Sequence, residues 1–385
     1  MIANFSLFFA FYLLTPLLPL YLSESFHAAK DTIGFVLSGY TATALLFRLF
    51  SGYLVDSFPR KQVLMVCYVF FAFFFAGYLV AGSLLLFAIV RTIHGGPFGS
   101  LTVANSTVAI DVLPSSRRNE GIGYYGLSNN LAMAIAPTVA IFIYKYVESF
   151  EVLFWLALVI ASFGMTIDAT VTLPQKPFVK DKRKISFDRF LLLRGWMIGA
   201  NMAFFGFCFG VLSNYLAIYG KEVLGFTGGT GTYFMLCSIG LILSRLQGSK
   251  GLRDGRLIQN AAGGMVISLI GYVLFATSSL FVDSAWVSFA YYSSALLIGL
   301  GNGHMWPAFQ NMMISVANNN ERGTANSTIL VSWDAGMGLG ILQGGIIAEY
   351  FGYAISFWIV AMVNAIGVFL FFLGTRNSFL RNKKV

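Results

Sequence analysis

The 385-residue chain has a composition suited to lipid rather than to water. Hydrophobic residues make up 57% of it and charged residues only 11%, whereas a soluble domain carries about 25% charged residues. The 25 Lys and Arg outnumber the 16 Asp and Glu, which gives a formal net charge of +9. These values exclude a water-soluble globular domain, and the long unbroken apolar runs exclude a transmembrane barrel of alternating strands.

Apolar runs long enough to cross a bilayer recur along the whole chain, separated by short polar connections. A crossing helix needs about 20 apolar residues. The first run lacks the positive segment and cleavage site of a secretory signal, so we expect it to be retained. The sequence therefore predicts an all-α membrane protein with twelve transmembrane helices, at residues 2–22, 32–55, 62–81, 83–110, 120–144, 151–173, 195–219, 230–249, 257–277, 285–315, 324–348 and 354–375.

The basic residues are distributed unequally between the two sides of the predicted membrane. Among the 25 Lys and Arg, the connections on one side hold Lys30, Lys145 and Lys221, and the spans hold Arg48, Arg91 and Arg245. The remainder share the other side with both termini, which the positive-inside rule assigns to the cytoplasm. Because these cations lie at membrane edges, we expect a lipid bilayer as partner and no nucleic acid.

The two halves of the chain resemble each other in two segments. RNEGIGYYG at 118–126 matches ERGTANSTI at 321–329, and FRLFSGYLVDSFPRK at 47–61 matches SRLQGSKGLRDGRL at 244–257. A basic segment separates these halves. We therefore predict a six-helix half at 1–174, a cytoplasmic linker at 175–194 and a second six-helix half with a cytoplasmic tail at 195–385. Such repeats place a substrate between the halves near the midplane.

GYLVDSFPRK, at residues 52–61, resembles the loop between helices 2 and 3 of the major facilitator superfamily. The shared residues include Gly52, Asp56, Arg60 and Lys61. An acidic side chain at a helix C-terminus is unfavourable alone and needs a cation or a helix N-terminus as partner. The resemblance implies a cytoplasmic latch to helix 11 of the other half. The alternative is a solvated loop anchor.

Helices 4 and 5 resemble the drug/proton antiporter branch of that superfamily. RTIHGGPFG, at 91–99, is similar to its Arg-x-x-x-Gly pattern and places His94 one turn after Arg91. GLSNNLAMAIAPTVA, at 126–140, is similar to its helix 5 signature, with Ala136-Pro137 in the Gly-Pro position. Arg91 is costly in a membrane unless it faces a cavity or a partner. We expect Arg91 and His94 to contact protons or anions, or else to be packing residues.

Asp334 and Arg48 are further ionisable residues within predicted spans. Asp334 lies near mid-depth of helix 11, on which Gly336, Gly340 and Gly344 recur every fourth residue as a close-packing stripe. Helices 2 and 11 meet in this superfamily, so we predict an Arg48–Asp334 pair that makes and breaks during transport. The alternative is a fixed structural pair.

Helices 1, 4, 7 and 10 line the cavity in this superfamily, which nominates a polar and aromatic set for substrate binding. Each member is equally compatible with the core. A few polar groups in an aromatic pocket suit a small amphiphile. The set comprises Tyr12, Asn201, Phe205, Asn214, Asn302, His304 and Trp306.

Together these features predict a secondary transporter that exports a small amphiphilic or drug-like solute in exchange for protons. We expect a monomer in the plasma membrane, the inner membrane of a bacterium, with no cofactor and no metal. An importer or facilitator for sugars or organic acids is the alternative of the same class. A membrane enzyme would need clustered ionisable residues at one depth, which three His in separate segments do not provide. A receptor would need no latch.

Overall fold

The computed structural model of the protein describes residues 1–112, 118–173, 191–226, 229–253, 255–282, 285–317 and 322–383. These residues form helices and short connections, with no strand among them. The prediction of an all-α fold is confirmed. The predicted linker at 175–194 lies mostly outside the described residues, and the predicted domain boundaries stay a prediction. The chain divides into a first unit, Met1–Ala28 with Phe35–Lys184, and a second unit, Ala29–Gly34 with Ile185–Val385.

The described residues from 1 to 173 form seven helices. The first predicted span is two helices because Pro16 and Pro19 have no N–H to donate. Between the two helices, the Thr15 hydroxyl donates to the carbonyl of Phe11 at 2.9 Å, and the N–H of Leu17 donates to the carbonyl of Leu14 at 3.0 Å. The helices are α1 (Ile2–Leu14), α2 (Leu18–Phe26), α3 (Lys30–Ser57), α4 (Arg60–Val80), α5 (Leu84–Val112), α6 (Arg118–Val147) and α7 (Phe150–Thr170).

Six more α-helices lie in the part of the chain described from residue 191 onwards. They are α8 (Trp196–Glu222), α9 (Gly229–Arg253), α10 (Leu257–Thr277), α11 (Ala285–Ser315), α12 (Arg322–Leu370) and α13 (Arg376–Asn382). α12 covers the eleventh predicted span and most of the last one, and it is interrupted at Gly352, where φ is 83° and ψ is 160°. Glycine adopts such angles without the steric cost of a Cβ. The hydroxyl of Ser356 donates to the carbonyl of Gly344 across this bend at 3.3 Å.

The lengths and compositions of the helices fit a membrane. Among the described residues, 8 stretches are long and apolar enough to cross one, and the last, Ser327–Asn382, has 56 residues. That length suffices for two crossings. Shorter apolar stretches occupy Leu131–Val147 and Gly229–Ser244. α11 is not in this set, and it carries polar residues such as Asn302 and His304 along its length.

The start of α3 belongs to the second unit. There the backbone N–H of Lys30 donates to the Glu349 carboxylate at 2.8 Å, and the Lys30 ammonium lies 3.3 Å from the Glu222 carboxylate. The same ammonium lies 4.7 Å from the centre of the Tyr353 ring. These contacts attach the first turn of α3 to the end of α8 and to α12.

Close helix contacts through glycine occur in both units at matching places. In the first unit, a Cβ on Gly95 of α5 would overlap the carbonyl of Tyr40, and a Cβ on Gly99 would overlap that of Ala44, both in α3. In the second unit, Gly299 of α11 lies against the carbonyl of Cys237 in α9 in the same way. Without a hydrophobic drive between helices in lipid, such close approach supplies the packing energy.

A second glycine contact joins α8 to α12. The backbone of Ala203 in α8 leaves no room for a Cβ on Gly336, and Phe207 leaves none on Gly340. Conversely, Gly206 and the glycine four residues later in α8 lie against the backbone of α12. The glycine stripe predicted on this helix therefore packs against α8, and Gly344 contacts the Tyr215 ring there.

Gly95→Ala should destabilise the first unit, because the new methyl group forces α5 away from the α3 backbone. We expect a loss of about 1–3 kcal/mol, visible as a lower midpoint of thermal unfolding in detergent. Gly126→Ala in α6 is the matched control, since a Cβ there meets nothing within 4 Å. A Gly95→Ala protein as stable as this control would contradict the close packing of α3 and α5.

Candidate functional site

Arg91 lies in the second turn of α5 and is 4% exposed. The glycine contacts that follow it on α5 hold this helix against α3. They place the guanidinium carbon 3.9 Å from the centre of the Tyr40 ring, a cation–π geometry. One guanidinium nitrogen, Nη1, also donates to the hydroxyl of Tyr78 in α4 at 3.1 Å.

The Tyr78 hydroxyl joins Arg91 to His94. It lies 2.7 Å from His94 Nδ1. Arginine only donates hydrogen bonds, so the Tyr78 oxygen accepts from Arg91 and its own proton is available for Nδ1. When the Tyr78 hydroxyl donates to Nδ1, the His94 proton sits on Nε2, which has no hydrogen-bond partner among the described residues. The three side chains form one ordered chain of donors and acceptors.

Several aromatic rings contact the His94 ring. The ring lies edge-on to Phe75 at 4.8 Å and to Tyr40 at 5.4 Å, and it stacks on Phe74 at 5.5 Å. Phe71 is at 5.0 Å. His94 is 1% exposed, so this polar cluster sits in an apolar shell where hydrogen bonds are strong and unmet ones costly.

Aromatic residues of α1 continue from this cluster. Phe11 packs on Tyr40 at 5.6 Å and stacks on Phe98 of α5 at 4.6 Å. Phe8 contacts both Phe98 and the predicted substrate residue Tyr12, at 6.1 and 6.2 Å. Phe8, Phe11 and Tyr12 are partly exposed. We call Phe8, Phe11, Tyr12 and Phe98 the α1 aromatic face.

Arg48 and Asp334 were predicted to pair. Arg48 donates to the Thr102 hydroxyl of α5 at 3.1 Å, one more tie between α3 and α5. Asp334 is partly buried in α12 of the second unit. Their mutual pairing stays a prediction.

The basic residues that begin α4 are anchored within the first unit. Arg60 forms an ion pair with Asp111, near the end of α5. The Lys61 ammonium donates to the carbonyls of Ala169 and Val171 at 2.9 and 2.6 Å, which caps the C-terminus of α7. The backbone of Asp56 lies in α3, and its side chain lies outside the described part of the structure. The latch therefore stays a prediction.

Three predicted substrate residues of α8 have partners inside the second unit. Asn201 is fully buried and donates to the Thr375 hydroxyl at 3.2 Å, beside the π-helical turn Phe371–Thr375. Asn214 donates to a backbone carbonyl of its own helix at 2.9 Å. Phe205 belongs to a buried cluster and packs on Phe309 at 6.3 Å. These contacts are those of core residues, and a substrate role stays a prediction.

The predicted substrate residues of α11, which is the tenth predicted span, are less buried than those of α8. Trp306 meets Trp333 of α12 edge-on at 4.9 Å, and Phe209 of α8 lies 5.6 Å from Trp333. His304 fits against α9 because Gly248 has no side chain: a Cβ there would be 2.7 Å from His304 Nδ1. Asn302 is partly buried.

Sequence reasoning missed Tyr78, Tyr40 and Trp333. Each is an aromatic residue within an apolar run, which gives no local signal of its role. Tyr78 lies in α4, and it links Arg91 to His94 only because α5 packs beside it. Among the described residues, no group of three or more His, Cys, Asp or Glu is arranged to hold a metal ion.

Tyr78→Phe should lower stability, because it leaves a buried Arg91 N–H and His94 Nδ1 without their shared partner. We expect a loss of about 1–3 kcal/mol, measured as a shift in the thermal unfolding midpoint. Tyr146→Phe is the control, since Tyr146 is 70% exposed. Equal midpoints for the two variants would show that the hydroxyl of Tyr78 does not hold this cluster together.

The chain resembles membrane transporters along nearly its whole length. The Staphylopine export protein of Staphylococcus aureus is 22% identical over 90% of this chain and 88% of its own. A Na⁺, Li⁺, K⁺/H⁺ antiporter of Planococcus maritimus is 27% identical over 43% of this chain and 40% of its own. The solved D-xylose-proton symporter shares the fold, with a TM-score of 0.76, 14% identity and coverage of 97% and 96%. The sequence model of the Major Facilitator Superfamily matches residues 1–292 and 258–384, and the chain belongs to this superfamily.

Proposed function

We propose that this protein exports a small amphiphilic solute across the plasma membrane in exchange for protons, by alternating access. The observation that carries the proposal is the buried Arg91–Tyr78–His94 cluster beside the α1 aromatic face. A charged residue within a membrane span is a functional site by default, and an aromatic surface with few polar groups suits an amphiphile.

Two relatives support the direction and the coupling. One similar protein is named for export and another for exchange of cations against protons. The superfamily consists of transporters, not enzymes, so we propose no catalytic role. The alternative is import or facilitated diffusion of a sugar or organic acid, which the shared fold of the D-xylose-proton symporter favours.

The coupling residues remain part of this proposal. Asp334 is a carboxylate within a predicted span, so it is our candidate for carrying the proton, with Arg48 as its alternating partner. Asp56 and Arg60 are proposed to form the cytoplasmic latch. We further propose a monomer with both termini in the cytoplasm, in accord with the distribution of Lys and Arg.

Asp334→Asn should abolish proton-coupled flux, because an amide cannot release a proton. We would reconstitute the protein in liposomes, impose a pH gradient, and screen amphiphilic compounds together with D-xylose for gradient-driven movement. Glu151→Gln is the matched control, since Glu151 is an exposed carboxylate in the first turn of α7.

The outcomes separate the alternatives. Gradient-driven export lost only in Asp334→Asn supports proton antiport. Movement that ignores both the gradient and the substitution indicates a facilitator, and movement of D-xylose with the gradient indicates an importer. No flux of any compound in the wild type would contradict a transport function for this set of solutes.

The Arg48–Asp334 pair makes a separate prediction. Arg48→Asp and Asp334→Arg should each reduce flux at least about tenfold, and the double exchange should restore part of it by re-forming the pair. The measurement is a double-mutant cycle on transport rates. Losses that simply add in the double variant would show that the two residues act independently.

A further inference from the structure

Among the described residues, no opposite charge balances the positive charge of Arg91. No carboxylate in the described part of the first unit lies within ion-pair distance of its guanidinium. Its one hydrogen bond with a described residue goes to the neutral Tyr78, and its Nε has no partner in that part of the structure. A buried charge is normally paired, because removing it from water is expensive.

Two other cations of the same unit have oxygen atoms of the protein as partners. Arg60 has the carboxylate of Asp111, and Lys61 has the carbonyl oxygens at the end of α7. The Tyr40 ring covers one face of Arg91. A ring quadrupole attracts a cation but does not neutralise it. Arg91 therefore retains the capacity to bind an anion.

The surroundings of Arg91 indicate which anion would fit. Planar guanidinium groups bind carboxylates through two parallel hydrogen bonds. Tyr40 joins the guanidinium to Phe11 and Phe98, so the cation stands at one end of the α1 aromatic face. The glycine contacts of α5 with α3 fix this arrangement before any ligand arrives, which lowers the entropic cost of binding.

We propose that Arg91 is a binding site for the carboxylate of an amphiphilic solute whose apolar part lies on the α1 aromatic face. This inference rests on the proposed transport function and narrows its substrate class to organic anions. Tyr78 and His94 are positioning residues in this site, since they hold the guanidinium through the hydroxyl of Tyr78.

A matched pair of ligands tests the site: 1-naphthoate and its neutral isostere 1-naphthamide. Binding of each is measured by equilibrium dialysis against the full chain in lipid nanodiscs, with empty nanodiscs subtracted. Wild type should bind naphthoate about tenfold more tightly than naphthamide, or better. Arg91→Gln should remove this preference by weakening naphthoate binding far more than naphthamide binding. Arg91→Lys, which keeps the charge but not the planar fork, should retain part of it.

Lys145→Gln is the control for charge, because Lys145 is an exposed cation of the same unit. It should keep the full preference for naphthoate. The proposal is overturned if wild type binds the two compounds equally, if it binds neither at millimolar concentration, or if Arg91→Gln retains the preference. Should Arg91→Gln fail to fold, a full naphthoate preference in Arg91→Lys overturns the predicted two-bond recognition.

The binding assay contains no gradient and no flux, so its failure is distinguishable from failure of the transport proposal. Flux of neutral amphiphiles without a preference for the carboxylate leaves transport standing and removes the anion site. Naphthoate binding that depends on Arg91, in a protein that moves no solute in liposomes, keeps the site and removes the transport proposal.

Discussion

Backbone contact between helices at glycine is the constraint on which the rest of the described structure depends. Lipid offers no hydrophobic gain when two apolar helices meet, so the helices must approach closely enough for dense packing. Gly95 and Gly99 permit this between α3 and α5, and Gly299 permits it between α9 and α11. The cation–π contact of Arg91 with Tyr40 follows from the first of these contacts, because the two residues sit on helices whose separation is fixed there.

Polar groups in the first unit show three solutions to the cost of charge in an apolar environment. Arg60 uses an opposite charge, and Lys61 uses the unpaired carbonyls of a helix end. Arg91 uses an aromatic face and a tyrosine hydroxyl, and no described carboxylate compensates its charge. The first two solutions are complete within the protein. The third suits a site that binds an anionic ligand.

Much of the fold could be predicted from the sequence, because helix length in a membrane is set by bilayer thickness. The predicted limits 257–277 and 285–315 coincide with α10 and α11. Departures occur at Pro16, which divides the first span, and at Gly352, where the last connection shrinks to a bend. Arg91 and His94 stood out as polar residues in an apolar run. Tyr78 did not, since its role arises only when α4 and α5 meet, and no local pattern encodes that meeting.

The bend at Gly352 has a mechanical consequence for the end of the chain. The two arms of α12 are joined without a loop, and the Ser356–Gly344 hydrogen bond ties them again near the bend. A displacement of one arm is therefore passed to the other through the backbone at Gly352 and through this hydrogen bond, because no loop lies between them to absorb it.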